Sequence, residues 1–461
     1  MSTRRGFLKQ TAAAGVVTAV PSWGAHRTDG LVARVEGRIG SNRIAKKSIA
    51  RVRSVIRREE TVLRHGGNGD NWHMSWASDD RQYVSLCDGS GFSDQPRAFY
   101  NSRMIAISGG PRDAQFHDLA GYPMLARPTQ RQNDTRYYNF GTLALDGYFF
   151  QFMSTFNRPF RPNEEEEPDR NNLIRFNGAK LIYSPDSGRT WHNQNGSTPV
   201  VWEDWNQRSR EALVFFEEDQ EAFSLLTILQ MGRNYEHNRD GYIYVYAPNG
   251  NTEGTMNELV MFRVLKGKLL ERSSYEYFVG RTAKGGAIWS KDIMARATVH
   301  TFPRGWVNSL VHPYAWHPSV VYNAPLGLYL MANWGMGAGL DGMWFSRPSY
   351  LGFWIAANPW GPWTQVHEET SWLPAGEPNA RAYQPQIAPK WISDDGRSFW
   401  IVWTDFQVTD EKARRLAAEE YKRIANAGTS SETDVMRSAM SMRQYMPYYA
   451  FNVQRVELVI A

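Results

Sequence analysis

Within residues 70–89, DNWHMSWASDDRQYVSLCDG, four aspartates surround two short apolar runs. Aspartate is a poor strand former, so this pattern calls for a turn or a site. Asp79 and Asp80 sit between WHMSW and QYVSL, where a hairpin must turn. Asp70 and Asp88 stand where the chain enters and leaves that hairpin. The two ends of an antiparallel pair are neighbours, so both carboxyls can reach one place. A carboxyl pair can cleave a glycosidic bond: one group protonates the leaving oxygen and the other acts as base or nucleophile. Close like charges and unequal burial push the two pKa values apart. The open strand start and nearby His73 point to Asp70 as the ionised partner. Asp88, beside Cys87 and an apolar strand, is then the acid. A loop cap at Asp70 and an Asp-Gly turn at Asp88 would explain the same residues without chemistry.

Other residues could line such a site. His73 could orient a carboxylate or bond a sugar hydroxyl. Asn139 starts a later inner strand and is a candidate sugar ligand. Arg233 and Asp240 flank NYEHNR, and Asp240 is either a third site carboxylate or the turn before Gly241. His317-Pro318-Ser319-Val320-Val321 and Gln384-Pro385-Gln386-Ile387-Ala388 share a polar-Pro-polar-aliphatic start. Proline suits the first residue of a strand, so His317 and Gln384 are placed beside a channel, as ligands or as structural caps. Trp316 and Trp334 could stack on sugar or pack in the core. The histidines lack zinc-type spacing, so no metal ligands are assigned, although a channel could hold a structural cation. No nucleophile elbow, phosphate loop or dinucleotide fingerprint occurs, and no cofactor is expected.

The elements that must position these residues are short β-runs punctuated by turns, from residue 70 onward. Grouped in fours they make five units, roughly 70–125, 137–200, 222–282, 312–370 and 383–461. The expected fold is all-β, a five-bladed β-propeller. Ser184-Pro185-Asp186-Ser187-Gly188-Arg189-Thr190-Trp191 matches the Asp box of sialidase-like propellers. Asp186 there bonds the turn backbone and Gly188 tolerates positive φ, a structural role. TDEKARRLAAEEYKRIANAG, about 409–428, reads as a helical insertion in the last blade, capped by Thr409 and ended by Gly428. The acidic loop NEEEEPD at 163–169 reads as a solvated segment.

The chain opens with paired arginines, Arg4-Arg5, then a short apolar stretch and small residues near Trp23–Ala25. This describes a twin-arginine export signal over 1–26, too short to span a bilayer. A basic leader or arm, 27–66, and the propeller, 67–461, follow. Nothing later is apolar enough for a membrane span. Export already folded, to periplasm or exterior, fits a chain with a single cysteine, Cys87, which can form no internal disulfide. Cys87 reads as a small buried hydrophobe. The net charge of +5 hides an asymmetry: residues 1–64 carry +10 and the rest −5. The body therefore lacks the basic patch that nucleic-acid binding needs. A monomer is expected. The 18 Trp and 22 Tyr suit a core or a sugar cleft.

DNWHMSWASDDRQYVSLCDGSGF, GTLALDGYFFQF, SPDSGRTW, TILQMGRNYEHNRDGYIYVYAPNG, LVMFRVLKGKLLERSSYEYFVG, SVVYNAPLGLYLM and NPWGPWTQV occur in this order. In order and spacing the chain resembles the domain of unknown function 4185 family over nearly all of residues 68–405. That family is similar to five-bladed glycosidase propellers, part of it placed in glycoside hydrolase family 183, the endo-D-arabinanases. The resemblance implies a hydrolase cutting a furanoside polysaccharide, with Asp70 and Asp88 as the first-blade acids. The leader, the acidic loop and the helical insertion lie outside it. Two other classes are open: a carbohydrate-binding propeller without catalysis, and a polysaccharide lyase using a cluster such as His317, Tyr235 and Arg233.

Overall fold

The computed structural model describes residue 49 and residues 51–461, apart from 95–97, 127–135, 157–175, 205, 251–256, 304–315, 338–344, 414, 417–418 and 421–430. The export signal, the acidic loop at 163–169 and the end of the expected 409–428 helix fall outside these. The described chain is a five-bladed β-propeller of antiparallel sheets. The first blade comprises Met74–Trp76, Gln82–Leu86, Tyr100–Ser108 and Gln115–Asp118, innermost first. The second comprises Tyr137–Leu145, Tyr148–Phe156, Phe176–Ser184 and His192–Asn193. The third runs from Thr227–Ile228 through Tyr242–Pro248, Glu258–Leu265 and Glu276–Arg281 to Ala287–Ser290. The fourth comprises Ser319–Asn323, Leu328–Gly335, Tyr350–Ala356 and Thr364–Glu369. The fifth is built from both ends of the fold: Ala382–Ile392, Ser398–Asp405, Asn452–Ile460 and, outermost, Val52–Arg57. The boundary expected at 67 thus falls inside the fold, because part of the basic leader is a strand.

Strand alternation explains the packing. In the second blade Leu143, Leu145, Phe150 and Phe152 face the third blade, while Ala144, Phe149 and Met153 face the first. Successive side chains of a strand point to opposite faces, so each sheet feeds two cores. The core is accordingly a set of apolar layers between blades. Arg57 fastens the outer rim of the ring. It bonds Glu369 of the fourth blade through Nε and Nη2, both at 2.6 Å, and Gln454 through Nη1 at 2.8 Å. Burial would raise the Glu369 carboxyl, but His367 and Arg57 hold it down at about 2.

The Asp box forms as expected. Asp186 accepts from the N–H groups of Arg189 and Thr190 and from both neighbouring hydroxyls, Ser184 and Thr190. Trp191 is buried and donates to the Gly188 carbonyl. Residues 411–413, 415–416 and 419–420 are helical, and a second helix, Glu432–Tyr445, follows that the sequence pattern did not mark. No helix among the described residues is long and apolar enough to cross a membrane.

Two outcomes follow from this packing. Arg57→Met leaves Glu369 without its fork and should destabilise the fold by about 2–4 kcal/mol at pH 7, read by denaturant melts. Because the Glu369 pKa is depressed, that difference should be full above about pH 4.5 and shrink as the pH falls towards 2. Asp186→Ala should lower Tm, each lost turn bond being worth roughly 1 kcal/mol or less, with turnover unchanged.

Candidate active site at the channel mouth

The inner strands meet around the channel, where among the described residues no continuous sheet ladder joins one blade to the next: a single parallel backbone bridge, Gln230 to Val321, links the third and fourth, and elsewhere side chains bond the neighbouring backbone. His73, just before the first inner strand, is 2 % exposed. The Thr142 N–H donates to its Nδ1 at 3.1 Å, and Nε2 lies 3.1 Å from the Ile228 carbonyl. Burial lowers its pKa to about 4, so the ring is neutral; because Nδ1 accepts from Thr142, the proton is assigned to Nε2, which faces the Ile228 carbonyl at 3.1 Å in preference to the Ile228 N–H at 3.3 Å. His317 is placed similarly: its Nε2 donates to the Phe140 carbonyl at 2.7 Å, and Gln386 meets its backbone carbonyl at 3.3 Å. Burial, then His73, lowers the His317 pKa well below the usual value. The two rings are 5.7 Å apart. Together they tie all five blades, and neither is free for substrate. The expected ligand roles of His73 and His317 are therefore corrected to structural ones.

Asp70 and Asp88 come together. Asp70 pairs with Cys87 in an isolated antiparallel bridge, its N–H and carbonyl both bonded at 3.0 Å, which sets Asp88 beside it. Asp88 is half-buried, and its Oδ1 accepts from the Asn101 amide at 3.0 Å. Asp70 is 9 % exposed, and its Oδ2 accepts from the hydroxyls of Tyr383 at 2.7 Å and Tyr449 at 3.0 Å. Burial, then the Asp88 carboxylate, pushes the Asp70 carboxyl up to about 8. This reverses the expected roles. The strand start is not open, since two tyrosines close over it. His73 points away and carries no charge. Asp70 is thus the protonated member at neutral pH.

Polar side chains gather on this corner. Asn71 donates to the Cys87 sulfur at 3.2 Å, and the Asn139 backbone N–H meets the same sulfur at 3.0 Å. The Asn139 side-chain oxygen accepts from Ser102 and Tyr122. Gln384 spends its carboxamide oxygen on the backbone N–H of Asn71 at 3.1 Å, so it braces the residue next to Asp70. Asn71 Oδ1, Asn101 Oδ1 and Asn139 Nδ2 are buried and make no hydrogen bond among the described residues. Buried groups of this kind are costly unless a water or ligand meets them. Asn71, Asp88, His317 and Gln384 all hold left-handed backbone, φ between 42° and 60°. Such strain in non-glycine residues persists where the surroundings enforce it.

Arg233 and Asp240 do not join this group. Arg233 donates to the Ser78 carbonyl, in the turn at the far end of the first hairpin. Its neighbour Asn234 bonds Asp146, seven residues along the second blade from Asn139 and roughly 20 Å away. Asp240 accepts from Tyr242 N–H and from the Tyr244 hydroxyl at 2.6 Å, which makes it a hairpin turn. Both residues lie at the opposite end of the channel, because an inner strand separates the two mouths. The lyase cluster therefore does not assemble. Trp334 is buried and donates to the Trp316 carbonyl at 3.1 Å, while Trp316 stays partly exposed. Among the described residues no group of three or more metal-binding side chains comes together.

Tyr383, Tyr449, Asn71 and Asn101 were not expected at the site. Asn71 and Tyr383 adjoin residues that were, Asp70 and Gln384, and that adjacency was the available signal. Tyr449 and Asn101 carried none.

No family model and no curated protein sequence matches the chain. Solved structures resemble its fold. "Bacteroides ovatus Xyloglucan PUL GH43B" is 12% identical with a TM-score of 0.39, over 75% of this chain and 52% of that one. The catalytic domain of Coprinopsis cinerea GH62 α-L-arabinofuranosidase is 10% identical at 0.37, over 85% and 92%. The endo-arabinase of Bacteroides thetaiotaomicron is 10% identical at 0.33, over 73% and 89%. The chain spans about half the length of the first of these. Their names are those of enzymes acting on glycosides, and at such identities the likeness is one of fold alone.

The raised Asp70 pKa has a consequence for stability. The folded state binds this proton more tightly than the unfolded chain, whose carboxyl titrates near 3.8. Stability from this residue is therefore intact below about pH 4 and falls as the pH rises to about 8. Asp70→Asn should melt above wild type at pH 9 and converge with it at pH 4, measured by thermal unfolding.

Proposed function

We propose that the chain is an exported glycoside hydrolase that cuts a polysaccharide at this channel mouth, with Asp70 as proton donor and Asp88 as the second carboxylate. The observation that carries the proposal is the unlike pair itself: a buried carboxyl capped by two tyrosine hydroxyls, whose burial favours its protonated form, beside a half-buried one. In the reaction the Asp70 O–H bond breaks and its proton passes to the glycosidic oxygen, whose bond to the anomeric carbon breaks. Asp88 supplies the electron pair, either by taking a proton from water or by bonding to that carbon itself. A water molecule completes the hydrolysis in both cases. The half-buried Asp88 and the partly exposed Trp316 are the groups here that a sugar can reach, the indole offering a flat face.

The resemblance to the domain of unknown function 4185 family and to glycoside hydrolase family 183 favours a furanoside substrate such as D-arabinan, cut internally. The paired arginines near the amino terminus favour export by the twin-arginine route to the periplasm or beyond. The protein acts as a monomer in this proposal.

The test is a screen of the purified protein on polysaccharides, D-arabinan included. New reducing ends without ultraviolet absorbance are expected. Asp70→Asn and Asp88→Asn should each lower the rate by about 10² or more while polysaccharide binding is kept. Wild-type protein that binds polysaccharide without cutting it would replace the proposal with a binding propeller, and unsaturated products would replace it with a lyase. Normal turnover by both asparagine variants would show that the pair is misassigned.

A further inference from the structure

The hydrogen bonds of Asp70 fall on one of its two oxygens. Oδ2 accepts from Tyr383 at 2.7 Å and Tyr449 at 3.0 Å, while Oδ1 makes no hydrogen bond among the described residues. The two phenols also lie within hydrogen-bond reach of one another, but when each gives its single hydroxyl proton to Asp70 the roughly two acceptor positions of Oδ2 are filled. A proton on Asp70 then belongs on Oδ1. The two phenols come from separate elements and are both held. Tyr383 lies at the start of the inner strand Ala382–Ile392 and stacks on Phe406, centroids 4.8 Å apart. Tyr449 follows the helix Glu432–Tyr445 and packs on the same Phe406 at 5.2 Å. From that helix Arg443 donates to the carbonyls of Ser93, at 2.6 Å, and Gly91. The insertion of the fifth blade is thereby tied to the chain just beyond Asp88.

We propose, on the reading of Asp70 as proton donor, that Tyr383 and Tyr449 are positioning residues that direct its transferable proton to Oδ1 and favour the proton's release, and that the helix Glu432–Tyr445 belongs to the site because it leads into one of them. Hydroxyl donors bond a carboxylate more strongly than a neutral carboxyl. As the Oδ1–H bond breaks and the proton moves to the leaving sugar oxygen, the electron pair stays on Asp70 and both phenol bonds strengthen. The titratable groups facing Asp70 are Asp88, Cys87, Tyr383 and Tyr449. Burial and Asp88 oppose ionisation of Asp70, and the two hydroxyls work against them.

The test compares the full chain with Tyr383→Phe, Tyr449→Phe and the double variant, whose rings fill the same space. The alkaline limb of kcat/KM against pH should move up by about one pH unit for each hydroxyl removed, with KM nearly unchanged. The same displacement should appear without substrate, in the pH dependence of the melting difference between each protein and its Asp70→Asn counterpart. Limbs and melting differences that stay at the wild-type pH overturn the proposal, whatever the loss of rate. If wild type cuts no polysaccharide yet the melting differences move, the hydrolase reading falls and the hold of the tyrosines on Asp70 stands. Should the double variant fail to fold, the single variants decide by the same readout.

Discussion

A propeller has no sheet across its axis, so its blades must be joined at the channel by something other than a ladder. Here, apart from one backbone bridge between Gln230 and Val321, the join is side chain to backbone, centred on two neutral histidines. His73 bridges the first blade to the second and third, and His317 bridges the fourth to the second and fifth. Smaller groups repeat the device: Ser75 accepts from Ala144, Ser319 from Ile387 and Gln82 from Lys390. A buried histidine can serve only while neutral, since a charged ring there would lack a counter-charge. Asp70 stands three residues before His73 and is held by its own backbone bridge to Cys87.

The site is assembled at a local cost. It gathers a buried carboxyl, three unpaired amide ends and several residues in left-handed backbone. Each is destabilising by itself, and strain of this sort persists only where the surroundings over-determine it. The surroundings here are the apolar layers between blades and the Arg57–Glu369 fork at the rim. The rigid framework thus holds a pair of unlike carboxyls that solvent would otherwise make alike.

The fifth blade has two functions in this arrangement. Its outermost strand, Val52–Arg57, closes the ring with the beginning of the described chain. Its connection between Ser398–Asp405 and Asn452–Ile460 carries the helical insertion and delivers Tyr449 to Asp70. Closure of the fold and the environment of the candidate acid therefore depend on the same blade.

The periodicity of two, the turn residues and the Asp box were legible in the sequence because they are local. They placed all five blades and brought Asp70 and Asp88 to one end of one hairpin, since neighbouring residues of a hairpin share an end whatever lies around them. Val52–Arg57 was hidden because its buried positions do not alternate cleanly and its charges read as a leader. Which carboxyl holds the proton was not legible. That depends on burial by Tyr383 and Tyr449, each more than 300 residues away along the chain. The same holds for His73, whose partners lie on two other blades, and for Arg233 and Asp240, whose strand pattern cannot say which mouth of the channel they reach. Sequence fixes what a residue can do beside its neighbours, but pKa and access follow from desolvation, and only the packed blades decide which groups lose their water.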